Sequence, residues 1–170
     1  VDRHEALRIQ FARDGQKQFI RNSINVEVPF EDLSHLNKGE LEKELNKLHL
    51  TFANMPFDLV NEPLFRIKII RENSQKHLLL LTVNHAIADG WSLGILNRDV
   101  GQLLKQELGE KINLQNPFPF SSYVQAQLKF QSTKEFEKTT NYWKNQFNGS
   151  ITALNLTTDC ARPNFQTYNA

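Results

Sequence analysis

The sequence predicts one α/β or α+β domain whose sheet is at least partly antiparallel. In some short segments apolar residues recur at every second position, and in longer segments they recur with a helical period. Two predicted strands, residues 64–71 and 77–83, are joined by a polar turn that is too short for a parallel crossover. That pair is therefore expected to be antiparallel.

The first predicted element is a β-hairpin over residues 7–21. Asp14-Gly15 lies between its two arms, and both residue types tolerate the positive φ of a tight turn. A short third strand is predicted around Val26 and Val28, which alternate with polar residues up to Pro29.

A helix is predicted over residues 38–54, before Pro56. Its apolar residues recur on one face, namely Leu41, Leu45, Leu48 and Phe52. The strand over residues 64–71 then places Phe65, Ile67 and Ile69 on one face. The almost wholly apolar segment 77–83 predicts a strand that is buried on both faces.

Residues 84–90 are predicted to form a loop, and three helices follow it. The first, residues 91–108, carries an apolar stripe and ends at Gly109. The others cover residues 121–130 and 132–147, and Ser132 with Glu135 matches a capping box. In the last helix the residues expected to face the core are Phe136, Tyr142 or Trp143, and Phe147, and Asn148-Gly149 closes it.

Composition excludes several classes of protein. With 20 Lys and Arg against 19 Asp and Glu, the formal net charge is +1, which argues against a strongly electrostatic nucleic-acid binder. The single cysteine, Cys160, rules out an internal disulfide and a cysteine-cluster metal site. The longest apolar run, residues 78–83, is far shorter than the roughly 20 residues of a membrane span. We therefore expect a cytoplasmic protein without metal that binds neither nucleic acid nor membrane.

His85 has the most suggestive position of the five histidines, because it follows a strand and opens the loop that ends in Asp89-Gly90. With two ligands and no further cluster, this pair is a poor metal site. An imidazole here can accept a proton from an amine or hydroxyl nucleophile. Gly90 is expected to allow the backbone bend before the next helix. The simpler interpretation of Asp89 is that it caps that helix, and both roles are compatible.

The run from Asn84 to Ser92 resembles the His-His-x-x-x-Asp-Gly motif of nonribosomal peptide synthetase condensation domains. Four further segments resemble that family in the same order. They are Arg3-His4-Glu5-Ala6-Leu7-Arg8; Phe57-Asp58-Leu59 with Pro63-Leu64-Phe65-Arg66; Phe120-Ser121-Ser122-Tyr123; and Tyr142-Trp143 with Leu154, Asp159, Arg162 and Pro163.

The resemblance implies a chloramphenicol acetyltransferase-like fold of two lobes with a tunnel between them. The implied reaction joins an acyl or peptidyl thioester on one carrier protein to the amine of an aminoacyl thioester on another. The implied partners are therefore the donor and acceptor peptidyl carrier proteins and an adjacent adenylation domain in the same polypeptide. No cofactor is expected to bind directly, because the substrates ride on phosphopantetheine arms.

By the same resemblance, His85 is the residue at the reacting amine, as general base or as a hydrogen-bond donor to the tetrahedral intermediate. Asp89 is implied to be structural and held by an arginine from elsewhere in the fold, and Gly90 to lie near the substrate path. Arg3, His4 and Arg8 are implied to be scaffold residues. The first histidine of the motif is Asn84 in this sequence, and an amide cannot titrate.

The intact family domain is longer than this chain. We expect residues 1–170 to be a single incomplete domain, most of the N-terminal lobe without its start and without the C-terminal lobe, and inactive alone. Three alternative functions remain open at this stage: an epimerisation domain of the same superfamily, a free-standing thioester-dependent acyltransferase, and a member that only recruits partners.

Overall fold

A computed structural model of the chain describes residues 1–152, 154, 156–161 and 164. The chain divides into two compact units, residues 1–125 and 126–170, and the division falls inside the third α-helix. The first unit holds all the strands of the described residues, and its topology confirms the mixed α/β class predicted from the sequence.

The predicted N-terminal hairpin is present but shorter than expected. A 3-10 turn, Glu5–Arg8, leads into β1 (Ile9–Phe11), which pairs antiparallel with β2 (Gln18–Ile20). Gly15 has a φ of 68°, a left-handed conformation that a residue without Cβ adopts freely. The Asp14-Gly15 signal therefore located the turn correctly.

The third strand was predicted in the wrong place. Residues 25–28 form no strand, and β3 covers Phe30–Asp32, after the proline that was expected to end it. Proline has no N–H to donate but keeps its carbonyl, and the carbonyl of Pro29 accepts from the amide of Ile69 at 2.9 Å. The parallel pairing with β4 (Phe65–Arg71) thus begins at Pro29.

Helix α1 (Lys38–Asn54) connects these two parallel strands and has the predicted bounds. Asn37 and Glu40 form a reciprocal capping box at its start, in which each side chain binds the other residue's backbone amide. The four predicted apolar residues of α1 are half-buried, so this face packs on the unit as expected.

Of the two predictions for the strand over residues 77–83, its antiparallel pairing was right and its burial on both faces was wrong. β5 (His77–Val83) pairs antiparallel with β4 as predicted, but the sheet order is β3-β4-β5, which makes β5 an edge strand among the described residues. Leu78 and Leu79 are exposed, so the prediction of burial on both faces was wrong. The central strand β4 is the buried one, with Ile70 fully inaccessible. An apolar run predicts a strand with apolar side chains on both faces, but it does not show whether other elements cover those faces. Among the described residues, β5 has a neighbouring strand on one side only.

Helix α2 (Gly90–Glu107) starts one residue earlier than predicted and is followed by Gly109, whose φ is 87°. Its apolar stripe is largely exposed, at Leu93, Val100, Leu103 and Leu104. The hydrophobic core lies instead where the N-terminal turn, the start of β4 and the loop after β5 meet. Its buried members are Leu7, Ile9, Leu64, Phe65 and Ile87.

Helix α3 covers Phe120–Gln131, and in the second unit α4 covers Lys134–Gln146. The N-cap of α4 is Thr133 rather than the predicted Ser132, because the Thr133 hydroxyl accepts from the amide of Phe136 at 3.2 Å. Of the aromatic residues predicted to face the core, Phe136 is half-buried, but the prediction was wrong for the others, since Tyr142, Trp143 and Phe147 are all exposed. They pack against one another instead, with the Trp143 and Phe147 rings stacked 6.2 Å apart.

Candidate functional site

His85 lies on a short loop, residues 84–89, between the end of β5 and the start of α2. Its imidazole is exposed and forms no hydrogen bond or ion pair within the described residues. The five other residues of the loop are placed by backbone bonds, a core contact or a helix cap. Of the two ionisable side chains in this loop, Asp89 is engaged by Ser92, whereas His85 is left open to a substrate.

Asn84 makes three bonds around His85. Its backbone amide donates to the carbonyl of Leu64 at 2.8 Å, which continues the β4–β5 ladder by one residue. Its carbonyl accepts from the amide of Ile87 at 3.1 Å, and its side-chain Oδ1 accepts from the amide of Ala86 at 2.9 Å. Both turns span His85, so Asn84 fixes the backbone on which the imidazole stands.

Ile87 anchors the other end of this turn. Its side chain is 9% exposed and packs in the core cluster with Leu7 and Leu64. Ile87 was not predicted as a site residue, although it is the one large apolar side chain among residues 84–89. Burial of such a side chain contributes about 1.5–3 kcal/mol and holds the loop against the body of the unit.

Asp89 is the N-cap of α2. Its Oδ1 accepts from the hydroxyl of Ser92 at 2.7 Å and from the Ser92 amide at 2.9 Å. These two bonds hold the pKa of the Asp89 carboxyl below its usual value. The simpler sequence interpretation, a helix cap, is thus what the structure shows. No arginine of the described ranges forms an ion pair with Asp89.

Gly90 opens α2 without needing to be glycine. Its φ is not in the left-handed region, and a Cβ built on it would meet no described atom within 4 Å. The sequence predicted that Gly90 allows the bend before the helix, and the ordinary backbone found here shows that this bend does not depend on a glycine.

Behind the loop, a buried carboxylate ties α2 to the N-terminal segment. Asp99 is 3% exposed, and its Oδ2 lies 2.7 Å from Nε of Arg3 and 2.9 Å from Nε2 of His4. Burial alone would raise the pKa of Asp99, but hydrogen bonds from Arg3, Arg98 and His4 outweigh it and lower the pKa to about 2. Asp99 was not predicted as a functional residue, because it is a single polar residue within the apolar stripe of α2.

The other motif residues of the N-terminal segment also hold backbone. Arg8 donates to the carbonyls of Arg21, Val1 and Asp2, which fastens the hairpin to the start of the chain. Glu5 accepts from the amide of Ser121 at 2.8 Å, at the first turn of α3. None of these contacts reaches the exposed face of the His85 loop, in keeping with a scaffold role.

The second motif segment is likewise structural in its contacts. The guanidinium of Arg66 donates to the carbonyls of Met55 and Pro56 and lies 3.9 Å above the centre of the Phe57 ring. Asp58 accepts from the backbone amides of Val60 and Asn61. Two residues of the last motif segment, Arg162 and Pro163, lie outside the described residues.

Two negative findings apply to the part of the chain that the structure describes. No group of three or more His, Cys, Asp or Glu side chains is arranged to hold a metal ion there. None of the helices found there has the length and apolar character that crossing a membrane requires.

Comparison with known proteins shows which family has this arrangement. The family model for the condensation domain matches residues 1–170 of the chain. The chain belongs to the condensation-domain family. The resemblance carried by the His85 loop and the four other motif segments is thereby confirmed.

Relatives of the chain include very large synthetases. Bacitracin synthase 3 of Bacillus licheniformis is 30% identical over 165 residues, which are 96% of this chain and 2% of that protein. Tyrocidine synthase 3 of Brevibacillus parabrevis is 28% identical over 170 residues, which are 99% of this chain and 2% of that protein. The chain thus spans only a small part of the relatives it matches.

Solved structures share the fold. The SgcC5 protein of Streptomyces globisporus superposes with a TM-score of 0.77 at 21% identity, covering 88% of this chain and 34% of that one. The epimerization domain from the third module of tyrocidine synthetase B gives a TM-score of 0.72 at 26% identity, covering 94% and 36%. The two superpositions confirm the chloramphenicol acetyltransferase-like fold for the part compared, which is about a third of each solved chain.

Proposed function

We propose that this chain provides the His85-bearing part of a condensation domain that forms amide bonds between carrier-bound thioesters. The observation that carries the proposal is the exposed imidazole of His85 on a loop whose flanks are fixed by Asn84, Ile87 and Asp89. A rigid support with one free acid–base group at its tip is what general acid–base catalysis needs.

In the proposed reaction the amine nitrogen of the acceptor attacks the thioester carbonyl of the donor. A C–N bond forms, the C–S bond breaks, and the proton lost by the amine ends on the departing sulfur. His85 either takes that proton from the amine and passes it on, or donates a hydrogen bond to the tetrahedral intermediate. Both roles require the imidazole to reach the reacting atoms, and its exposure satisfies that requirement.

The proposed substrates are thioesters on the phosphopantetheine arms of a donor and an acceptor peptidyl carrier protein. An adenylation domain of the same polypeptide is the proposed neighbour. The relatives support these proposed neighbours. Bacitracin synthase 3 is a very long polypeptide, since a match of 165 residues covers only 2% of it. On this proposal the chain supplies most of an N-terminal lobe. The exposed apolar stripe of α2 supports it, since such a stripe is typical of a surface that other protein covers.

The test is His85→Ala in the full-length protein, assayed for amide formation between two loaded carrier proteins. We expect a loss of about 10²–10⁴-fold, the usual contribution of a positioned acid–base group. His49→Ala is the matched control, since His49 is an exposed histidine on α1. Unchanged amide formation in the His85 variant would exclude the proposed role. Amide formation by residues 1–170 alone would exclude the proposal that this chain is only part of the catalytic unit.

Epimerisation is the second candidate, because an epimerization domain is among the structural relatives and shares 26% identity with this chain. In that reaction His85 would exchange the Cα proton of a carrier-bound aminoacyl group. Incubating the loaded carrier protein with the full-length protein in deuterated water separates the two functions. Deuterium at Cα without amide formation would favour epimerisation.

A further inference from the structure

Asn84 stands where the family motif has its first histidine, and the structure shows what its side chain does. Oδ1 accepts the amide of Ala86 at 2.9 Å and closes a turn across His85. The backbone of Asn84 closes a second turn through Ile87 and continues the sheet through Leu64. His85 is therefore enclosed by bonds that all originate at one residue.

The side-chain bond is the part that depends on residue type. Every residue type except proline keeps the two backbone bonds at position 84, whereas the bond to Ala86 needs a side-chain acceptor and is strongest for one placed two bonds beyond Cβ. Asn and Asp provide an oxygen there, and a neutral histidine provides Nδ1. A protonated histidine has a hydrogen on Nδ1 and cannot accept, so it would lose this bond on acidification.

We propose that Asn84 is a positioning residue that holds His85 in place through the Ala86 amide, and that it keeps doing so where a histidine would be protonated. This inference rests on the proposed function, since it assumes that His85 acts in the reaction. Asn84 does not need to touch substrate. It restricts the backbone of the turn, and a catalytic group displaced by about 1 Å loses on the order of 10²-fold in rate.

The test uses three variants of the full-length protein in the amide-forming assay. Asn84→Leu has similar size but no acceptor, and we expect it to lower kcat by about 10–100-fold with little change in KM. Asn84→Asp keeps the acceptor and should retain a rate close to that of the wild type at pH 8. Asn84→His should be active at pH 8 and lose activity more steeply than the wild type as the pH falls through about 6.5.

Two measurements separate positioning from a general loss of stability. Hydrogen exchange of the peptide over residues 84–90 should quicken in Asn84→Leu and not in Asn84→Asp, and the thermal midpoint shows whether either variant is unfolded. Asn46→Leu, an exposed asparagine on α1, is the matched control and should leave kcat unchanged.

A wild-type kcat in Asn84→Leu would overturn the inference. So would equal losses in the Leu and Asp variants, because the acceptor would then be irrelevant. The outcome for His85→Ala separates the two proposals. If that variant is inactive while Asn84→Leu is not, only the positioning role fails, whereas an active His85→Ala variant overturns both.

Discussion

Nε of Arg3 lies 2.7 Å from Oδ2 of Asp99, although 96 positions separate the two residues in the sequence. His4 reaches the same oxygen, so a single buried carboxylate connects the N-terminal segment to the middle of α2. The His85 loop leads directly into α2, and its Ile87 packs in the core with Leu7 of the N-terminal segment, so this connection joins the two elements that also hold the loop.

Replacing Asp99 with Asn should destabilise the fold in a pH-dependent manner. The pKa of Asp99 is lowered from 3.8 to about 2 in the folded protein, so its ionised form favours folding. That contribution, about 2 kcal/mol, is complete above pH 5 and is lost as the pH falls through 4 towards 2. Urea unfolding of both proteins from pH 7 to pH 2.5 measures it.

Glu107→Gln serves as its control, because Glu107 is an exposed carboxylate on the same helix. We expect it to change stability by less than about 0.5 kcal/mol. A difference between Asp99→Asn and the wild type that is as large at pH 2.5 as at pH 7 would contradict this account of Asp99.

Glu5→Ala should weaken the start of α3. The Glu5 carboxylate accepts from the Ser121 amide, and that bond holds the pKa of Glu5 below its usual value. Loss of a helix cap lowers the free energy of unfolding by about 1 kcal/mol, and the wild type should lose part of the same contribution as the pH falls below 4.5. Chemical denaturation measures both effects, with the exposed Glu110→Ala as the neutral comparison. Equal stabilities for the Glu5 and Glu110 variants would disprove the cap.

Gly90→Ala should separate stability from activity. The backbone at Gly90 suits any residue and a methyl group there meets no described atom within 4 Å, so we expect a stability gain of up to about 1 kcal/mol. If substrate passes this position, amide formation should fall nevertheless. Gly101→Ala, a glycine of the same helix with equally open surroundings, should be stable and fully active. Equal rates for the two variants would remove Gly90 from the substrate path.

Thr133→Ala and Ser132→Ala form a pair that tests the helix boundary. Thr133 is the N-cap of α4, and its loss should lower the free energy of unfolding by about 1 kcal/mol. The Ser132 hydroxyl donates only a long bond, 3.4 Å, to the carbonyl of Leu128, so its removal should have a much smaller effect. Circular dichroism during thermal unfolding compares the two variants. The reverse order would show that the capping box predicted from the sequence was correct.

The sequence predicted correctly those elements whose start, end or turn is determined by residues within or next to the element. Helix α1 had the predicted bounds because its apolar period lies within the helix and its capping pair, Asn37 and Glu40, lies at its first turn. The hairpin turn was located by Asp14-Gly15 for the same reason. The His85 loop and its helix cap could also be placed, since Asp89 and Gly90 are contiguous with it.

Other features depend on contacts between distant segments, and the sequence did not reveal them. The edge position of β5 follows from the strand order, and hydrophobicity alone does not state how many neighbours a strand has. Asp99 looked like one polar residue on an amphipathic helix, because its partners Arg3 and His4 lie far away along the chain. The pairing of β3 was misplaced because Pro29 contributes through its carbonyl, which periodicity does not register.

The long span between Arg3 and Asp99 also bears on the order in which the chain assembles. The hairpin β1–β2 and the pair β4–β5 join residues that are close in sequence, so they can form early and quickly. The contacts of Arg3 with Asp99 and of Glu5 with Ser121 close loops of 96 and 116 residues, which is entropically costlier and slower. We therefore expect these two long-range contacts, which hold the elements around the His85 loop together, to form last in folding. Variants of Asp99 should then chiefly accelerate unfolding and leave the folding rate nearly unchanged.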